Sequence, residues 1–151
     1  MNIRWDVKKF EELSAAELYK IMQLRSEVFS VEQNCAYQDA DGKDLYCFHL
    51  SGFNDENDLV VYSRIVPAGV SFLEVSIGRV VSSKKARGTG AGKELMNKSI
   101  EFIKKQYGNV PIRIGAQCYL IKFYSSFGFE ISGEEYLEDN IPHIEMLFSP
   151  R

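Results

Sequence analysis

Long apolar runs are missing from this chain, and nothing approaches the ~20 consecutive apolar residues that a membrane-spanning helix requires. The segment Met1–Lys9 is broken by charge and holds no signal-peptide core. Cysteine is scarce: Cys35, Cys47 and Cys118 are an odd set without CxxC spacing. They suggest neither a disulfide framework nor a metal site. Lysine and arginine, 18 together, form no block and are outnumbered by 21 acidic residues, for a net charge of −3. A nucleic-acid backbone is therefore not an expected partner, and no membrane is. Linkers, repeats and low-complexity tracts are also absent. What is present is ordinary for a globular chain: 151 residues, 45% apolar and 26% charged. These values predict one domain spanning residues 1–151, in a reducing cytoplasm.

The first element is a helix over residues 15–29. Ser14 and Glu17 form a capping box, in which each side chain satisfies an amide at the helix start. Leu18, Ile21, Met22, Arg25, Val28 and Phe29 make a helical stripe that is apolar except at Arg25. An acidic stretch follows, with Asp39, Asp41 and Asp44. Strands are predicted over 46–51 and 59–66. Over 72–81, Leu73, Val75 and Ile77 alternate with Glu74, Ser76 and Gly78, and then the alternation slips: Arg79 stands where an apolar residue is due, before Val80 and Val81. A β-bulge beside Gly78 and a central strand covered on both faces both account for that slip.

Three glycines at alternate positions, Gly88, Gly90 and Gly92, then lead from a basic loop into a helix that runs to about residue 106. Amides at a helix start lack internal partners and lie at the positive end of the dipole, so this loop is suited to phosphate. It fails the Walker pattern, because Arg87 and Glu94 stand where Gly and Ser/Thr are needed, and it fails the dinucleotide pattern at Lys93. R-x-x-G-x-G fits, from Arg87 to Gly92. A strand over 110–114, a short helix over 117–126 ended by Gly128, and a last strand over 143–148 complete an α/β order.

Arg87-Gly88-Thr89-Gly90-Ala91-Gly92, placed after Ile77-Gly78-Arg79-Val80-Val81, resembles the pyrophosphate-binding motif of the GNAT superfamily of N-acetyltransferases. Phe123-Tyr124-Ser125-Ser126-Phe127-Gly128-Phe129 resembles that family's F-Y-x-x-x-G-F run. Residues 28–42 and 138–144 are similar to its ElaA-like branch, so the likeness covers nearly the whole chain. It implies an α/β fold, a mixed central β-sheet with flanking helices whose bulged central strands splay apart. It also implies transfer of an acetyl group from acetyl-CoA directly to a primary amine of a small molecule or peptide.

On that resemblance Arg79, Val80 and Val81 hold pantetheine and polarise the carbonyl. Arg87, Gly88, Thr89, Gly90, Ala91 and Gly92 cradle the pyrophosphate, Gln117 lies beside the pantetheine arm, and Tyr124 protonates the leaving thiolate. Tyr124 also reads as an aromatic packing on the core. Glu74 is the first candidate for general base, because it faces away from Leu73 and Val75 on the bulged strand. Glu32, His49 and His143 are others, and a water relay would make none essential. Cys118 is a weaker candidate, as a nucleophile. Asp39, Asp41 and Asp44, with Glu134, Glu135, Glu138 and Asp139, would favour a cationic acceptor if they line one rim. A non-catalytic acyl-CoA sensor is the rival reading. It would need the glycine loop but neither Tyr124 nor an acceptor pocket. A homodimer stays open.

Overall fold

A computed structural model describes residues 1–150. Strand β1 (Arg4–Lys9) leads to helix α1 (Ala15–Arg25), and a wider π-helical stretch extends α1 over Ser26–Glu32. Strands β2 (Phe48–Phe53), β3 (Leu59–Val66) and β4 (Ser76–Ser82) follow, then helix α2 (Ala91–Tyr107) and strand β5 (Ile112–Gln117). The short helix α3 (Ile121–Ser125) precedes β6 (Phe129–Ile131), β7 (Tyr136–Glu138) and β8 (Ile141–Phe148). The predicted capping box starts α1: Ser14 Oγ accepts from the Glu17 amide, and the Glu17 carboxylate accepts from the Ser14 amide. β1, β6 and β7 carry no strong sequence signal. They are short or half-exposed, and pairing to longer neighbours makes them strands.

Two antiparallel sheets result, β1-β2-β3-β4 and β5-β8-β6, with β7 also on β8. All eight residues of β3 are buried, because helices cover both of its faces. Tyr62 packs with Ile21 and Leu24 of α1, whereas Ile65 packs with Met96 and Ile103 of α2. Between β4 and β5 the sheets meet through a parallel bridge, Val75 to Ile112, reinforced by the Arg113 amide donating to Val75 O at 3.0 Å. The named ladders include no pairing of β4 with β5 beyond that root, so the two strands part there.

The slip read at Gly78 is a bulge. Tyr62 pairs with Val81 and Arg64 with Gly78, so Ser63 alone faces both Arg79 and Val80. Arg79 takes φ +49°, a left-handed conformation that costs a side-chain-bearing residue about 1–2 kcal/mol. Its guanidinium repays the strain: Nε donates to Asp39 Oδ1 at 2.8 Å, Nη2 donates to the Asp39 carbonyl at 3.2 Å, and the group stacks on Tyr37. The predicted strand over 72–81 needs correction at its start, since β4 begins at Ser76 and the preceding residues form a bend.

Candidate active site

The parting strands open a cleft of about 1500 Å³, lined by both halves of β4, the glycine loop, the end of β5, α3 and the β7–β8 hairpin. Its glycine-loop end is built by backbone. Gly88 and Gly90 sit at φ +77° and +84°, and the amides of Gly88, Gly90, Gly92 and Lys93 have no acceptor among the described residues. Added Cβ atoms at Gly88 and Gly90 would meet nothing within 4 Å, so open space lies over them. Free amides, open space and a helix dipole together fit a pyrophosphate. Thr89 and Ala91 serve the loop itself. The Thr89 hydroxyl donates to the Ala86 carbonyl and accepts from the Ala91 amide, and neither residue lines the cleft. Arg87 forms a two-pronged ion pair with Glu32 at 2.6–3.0 Å. That hydrogen bonding holds the Glu32 carboxyl below its usual range. A bound phosphate would compete with Glu32 for the same guanidinium.

Arg79, Val80, Val81 and Gln117 all line the cleft. The Gln117 amide pairs reciprocally with Gln33 across 3.2–3.4 Å, tying the end of β5 to the segment after α1. Tyr124 is 7% exposed and packs edge-on against Phe123 and Phe129. It still lines the cleft, and its hydroxyl has no partner among the described residues. The Tyr124 ring is thus part of the core while its hydroxyl is free. Burial pushes the phenol well above its ordinary range, so it is protonated at neutral pH.

Glu74, the first candidate for general base, is not in the cleft. It forms a two-pronged pair with Arg113, at 3.0 and 3.1 Å, beside the Val75–Ile112 bridge. The Arg113 hydrogen bonds lower its pKa, the wrong direction for a base. The strand that was to aim it at the substrate has not yet begun at residue 74. Among the alternatives, His49 is buried between the Tyr62 hydroxyl and the Asp44 carbonyl, and burial lowers its pKa. Cys118 does not line the cleft, and burial pushes its thiol up. His143 does line it.

The first acidic cluster is also corrected. Asp39, Asp41 and Asp44 do not form an open rim; Arg25, Arg64 and Arg79 neutralise them. Arg25 is fully buried and donates to Asp39 and Asp44 at 2.8 Å, and Arg64 grips Asp41 with both Nη atoms at 2.7–2.9 Å. The charged exception in the α1 stripe is the centre of this network. Sequence reasoning had no route to the pairing, because Arg25, Arg64 and Arg79 are far apart in the chain.

A bulged, splayed sheet with a phosphate-ready glycine loop and a free tyrosine hydroxyl defines an N-acyltransferase of the acyl-CoA-using class. A family model described as the acetyltransferase (GNAT) domain matches residues 47–149. Protein ElaA of Escherichia coli is 44% identical over 146 residues, covering 95% of each chain. The crystal structure of an acyl-CoA N-acyltransferase from Pseudomonas aeruginosa superposes with a TM-score of 0.93 at 40% identity, covering 98% of this chain and 100% of that one. That of Escherichia coli ElaA superposes at 0.91 with 42% identity, covering 98% and 100%. The chain belongs to the GNAT acetyltransferase family and is similar to ElaA.

Proposed function

We propose that this chain transfers an acetyl group from acetyl-CoA directly to a primary amine, small-molecule or peptidic, without a covalent enzyme intermediate. The observation that carries the reading is the pairing, in one cleft, of four unsatisfied loop amides with an unpartnered, protonated tyrosine hydroxyl. The amine nitrogen bonds to the thioester carbonyl carbon, the carbon–sulfur bond breaks, the amine gives up a proton and the departing thiolate takes one. Tyr124 supplies the latter proton. Burial that raises the phenol raises the thiolate's proton affinity as well, so the transfer between them stays feasible. Backbone amides at the bulge, set free of ladder pairing, orient the carbonyl and meet the developing oxyanion. Arg79 contributes by holding the bulge through Asp39, since its side chain is already engaged.

Acceptors would enter on the open side of the cleft, along Phe72, Gly78, Gly115, Tyr136 and His143. A regulatory acyl-CoA sensor would need no such chamber and no free Tyr124 hydroxyl, so the enzyme reading is favoured. The test is release of free thiol from acetyl-CoA in the presence of a panel of amines. Amine-dependent release with a matching acetylated product supports transfer. Tight acetyl-CoA binding with no release for any amine would support the sensor.

A further inference from the structure

We propose that His143 is the group that takes the proton from the acceptor amine, with Glu138 supplying the counter-charge to the protonated ring. The proposal rests on the acetyl-transfer reading above and adds the missing base to it.

Ile112, Ile114 and Ala116 of β5, with Ile144 and Met146 of β8, enter the core shared with α2 and Tyr124. Their alternating neighbours must then face the other way. Gln117 pairs in register with His143, and Gly115 with Glu145, so these four share the opposite face. Tyr124 thus reaches the cleft from the core side and His143 from the open side. A thioester lying in the splay would have the proton donor behind it and the acceptor's entry in front. A direct transfer needs the two proton transfers on separate groups, because nitrogen and sulfur occupy different vertices of the tetrahedral intermediate.

The ring of His143 is fixed on three sides. Nδ1 lies 2.7 Å from the Ile141 carbonyl, which can only accept, so Nδ1 carries a hydrogen and Nε2 is the free lone pair of the neutral ring. Tyr136, its register partner on β7, stacks on it at 5.8 Å and 27°. Glu138 places a carboxylate oxygen 3.5 Å from Nε2. Asp139 and Asn140, at φ +51° and +62°, make the two-residue turn that folds Glu138 back beside Ile141. A proton arriving at Nε2 therefore meets a counter-charge already in position.

Four other titratable groups lie on the elements packed around His143. Tyr136 stays protonated, raised by burial; Glu145, on the same face of β8, is paired with Arg113; Cys118 follows Gln117; and Asp139 lies in the turn. Glu138 is the carboxylate that comes within 4 Å of the imidazole. The His143 side chain is 9% exposed, whereas that of Glu138 is 60% exposed. Glu138 acts here through His143, as counter-charge to the protonated ring. The first proton goes from the ammonium nitrogen to His143 Nε2 and on to solvent, leaving the neutral amine to attack; the proton the nitrogen sheds once the carbon–nitrogen bond has formed leaves by the same Nε2, while Tyr124 protonates the thiolate and is itself reprotonated from solvent.

The experiment compares kcat/KM for a weakly basic amine and a strongly basic amine of similar size, in wild type and in His143→Asn. Asparagine can still donate to the Ile141 carbonyl but cannot accept the proton. A base matters most where the amine arrives protonated, so the variant should lose about a hundredfold with the strongly basic amine and much less with the weakly basic one. Its pH profile for the strong base should rise with unit slope toward the amine's own pKa, tracking free amine. Acetyl-CoA affinity should not change. Glu138→Gln, on the exposed carboxylate, should give the same selectivity pattern at smaller size and guards against a fold effect at residue 143. Equal losses with both amines, or none, in a variant that still binds acetyl-CoA would overturn the assignment. A wild-type protein that acetylates no amine would overturn the transfer reading, and this proposal with it.

Discussion

At the residue scale, one atom often decides between structure and chemistry. Tyr124 has a core ring and a free hydroxyl. Tyr124→Phe removes the hydroxyl and leaves the packing, so turnover should fall about a hundredfold while acetyl-CoA affinity stays within twofold, measured by steady-state kinetics and calorimetry. The glycine loop invites a similar cut, but the position matters. Gly90 sits at φ +84°, so any side chain there strains the backbone and confounds folding with binding. Gly92 is free of that problem. Its added Cβ would lie 3.4 Å from Ser82 Oγ, on the cleft wall. Gly92→Val should weaken acetyl-CoA binding at least about tenfold, or about 1.4 kcal/mol, with a small change in melting temperature. Unchanged calorimetric affinity would remove the loop from the phosphate site.

Elements are held in register by charge as well as by apolar contact. Arg25 on α1, Arg64 on β3 and Arg79 on β4 converge on Asp39, Asp41 and Asp44 and so fasten the segment after α1 to the bulge. Burial alone would raise Asp41 and Asp44. For Asp41 the Arg64 hydrogen bonds and charge outweigh it, and for Asp44 those of Arg25 and then Arg64 do, so both carboxyls end below the usual range. A carboxyl with a depressed folded pKa stabilises the fold above its unfolded pKa of about 4, and that contribution disappears as pH falls through the folded value. Thermal stability should therefore be flat above about pH 5 and decline steadily below pH 4. Asp44→Asn, which leaves Arg25 short of a buried counter-charge, should lower stability at pH 7 by about 3 kcal/mol and flatten the acid decline. Denaturant melts across pH check both. If the slope below pH 4 is the same in wild type and variant, the network does not govern acid stability.

For the whole molecule, acceptor choice turns on which carboxylates remain free. The first acidic cluster is neutralised, so any field favouring a cationic amine comes from Glu134, Glu135, Glu138 and Asp139, of which Glu138 and Asp139 line the cleft. Exposed charges are screened beyond roughly 8 Å at physiological ionic strength. With a cationic acceptor kcat/KM should fall as salt rises, and with an acceptor that is neutral at the working pH it should not. Glu134→Gln with Glu135→Gln, both outside the cleft lining, should flatten the difference. Identical salt profiles in wild type would leave these carboxylates without a part in selection.

Local sequence by itself determined what local physics controls. The Ser14–Glu17 cap, the strand over 59–66, the phase slip at Gly78 and the glycine entry to α2 all depend on near neighbours and backbone preference, and each appears in the fold. Tertiary structure alone decided which charges meet. Glu74 looked like a base because alternation aimed it at a cleft, but the chain bends there and Arg113, 39 residues away, takes both of its oxygens. Asp39, Asp41 and Asp44 looked like a surface field until three distant arginines closed on them. His143 became a site residue through its register with Tyr136 and Gln117, which no local pattern encodes. The physical reason is range: capping, turns and alternation act over a few residues, whereas ion pairs and strand register join positions that only the folded chain brings within bonding distance.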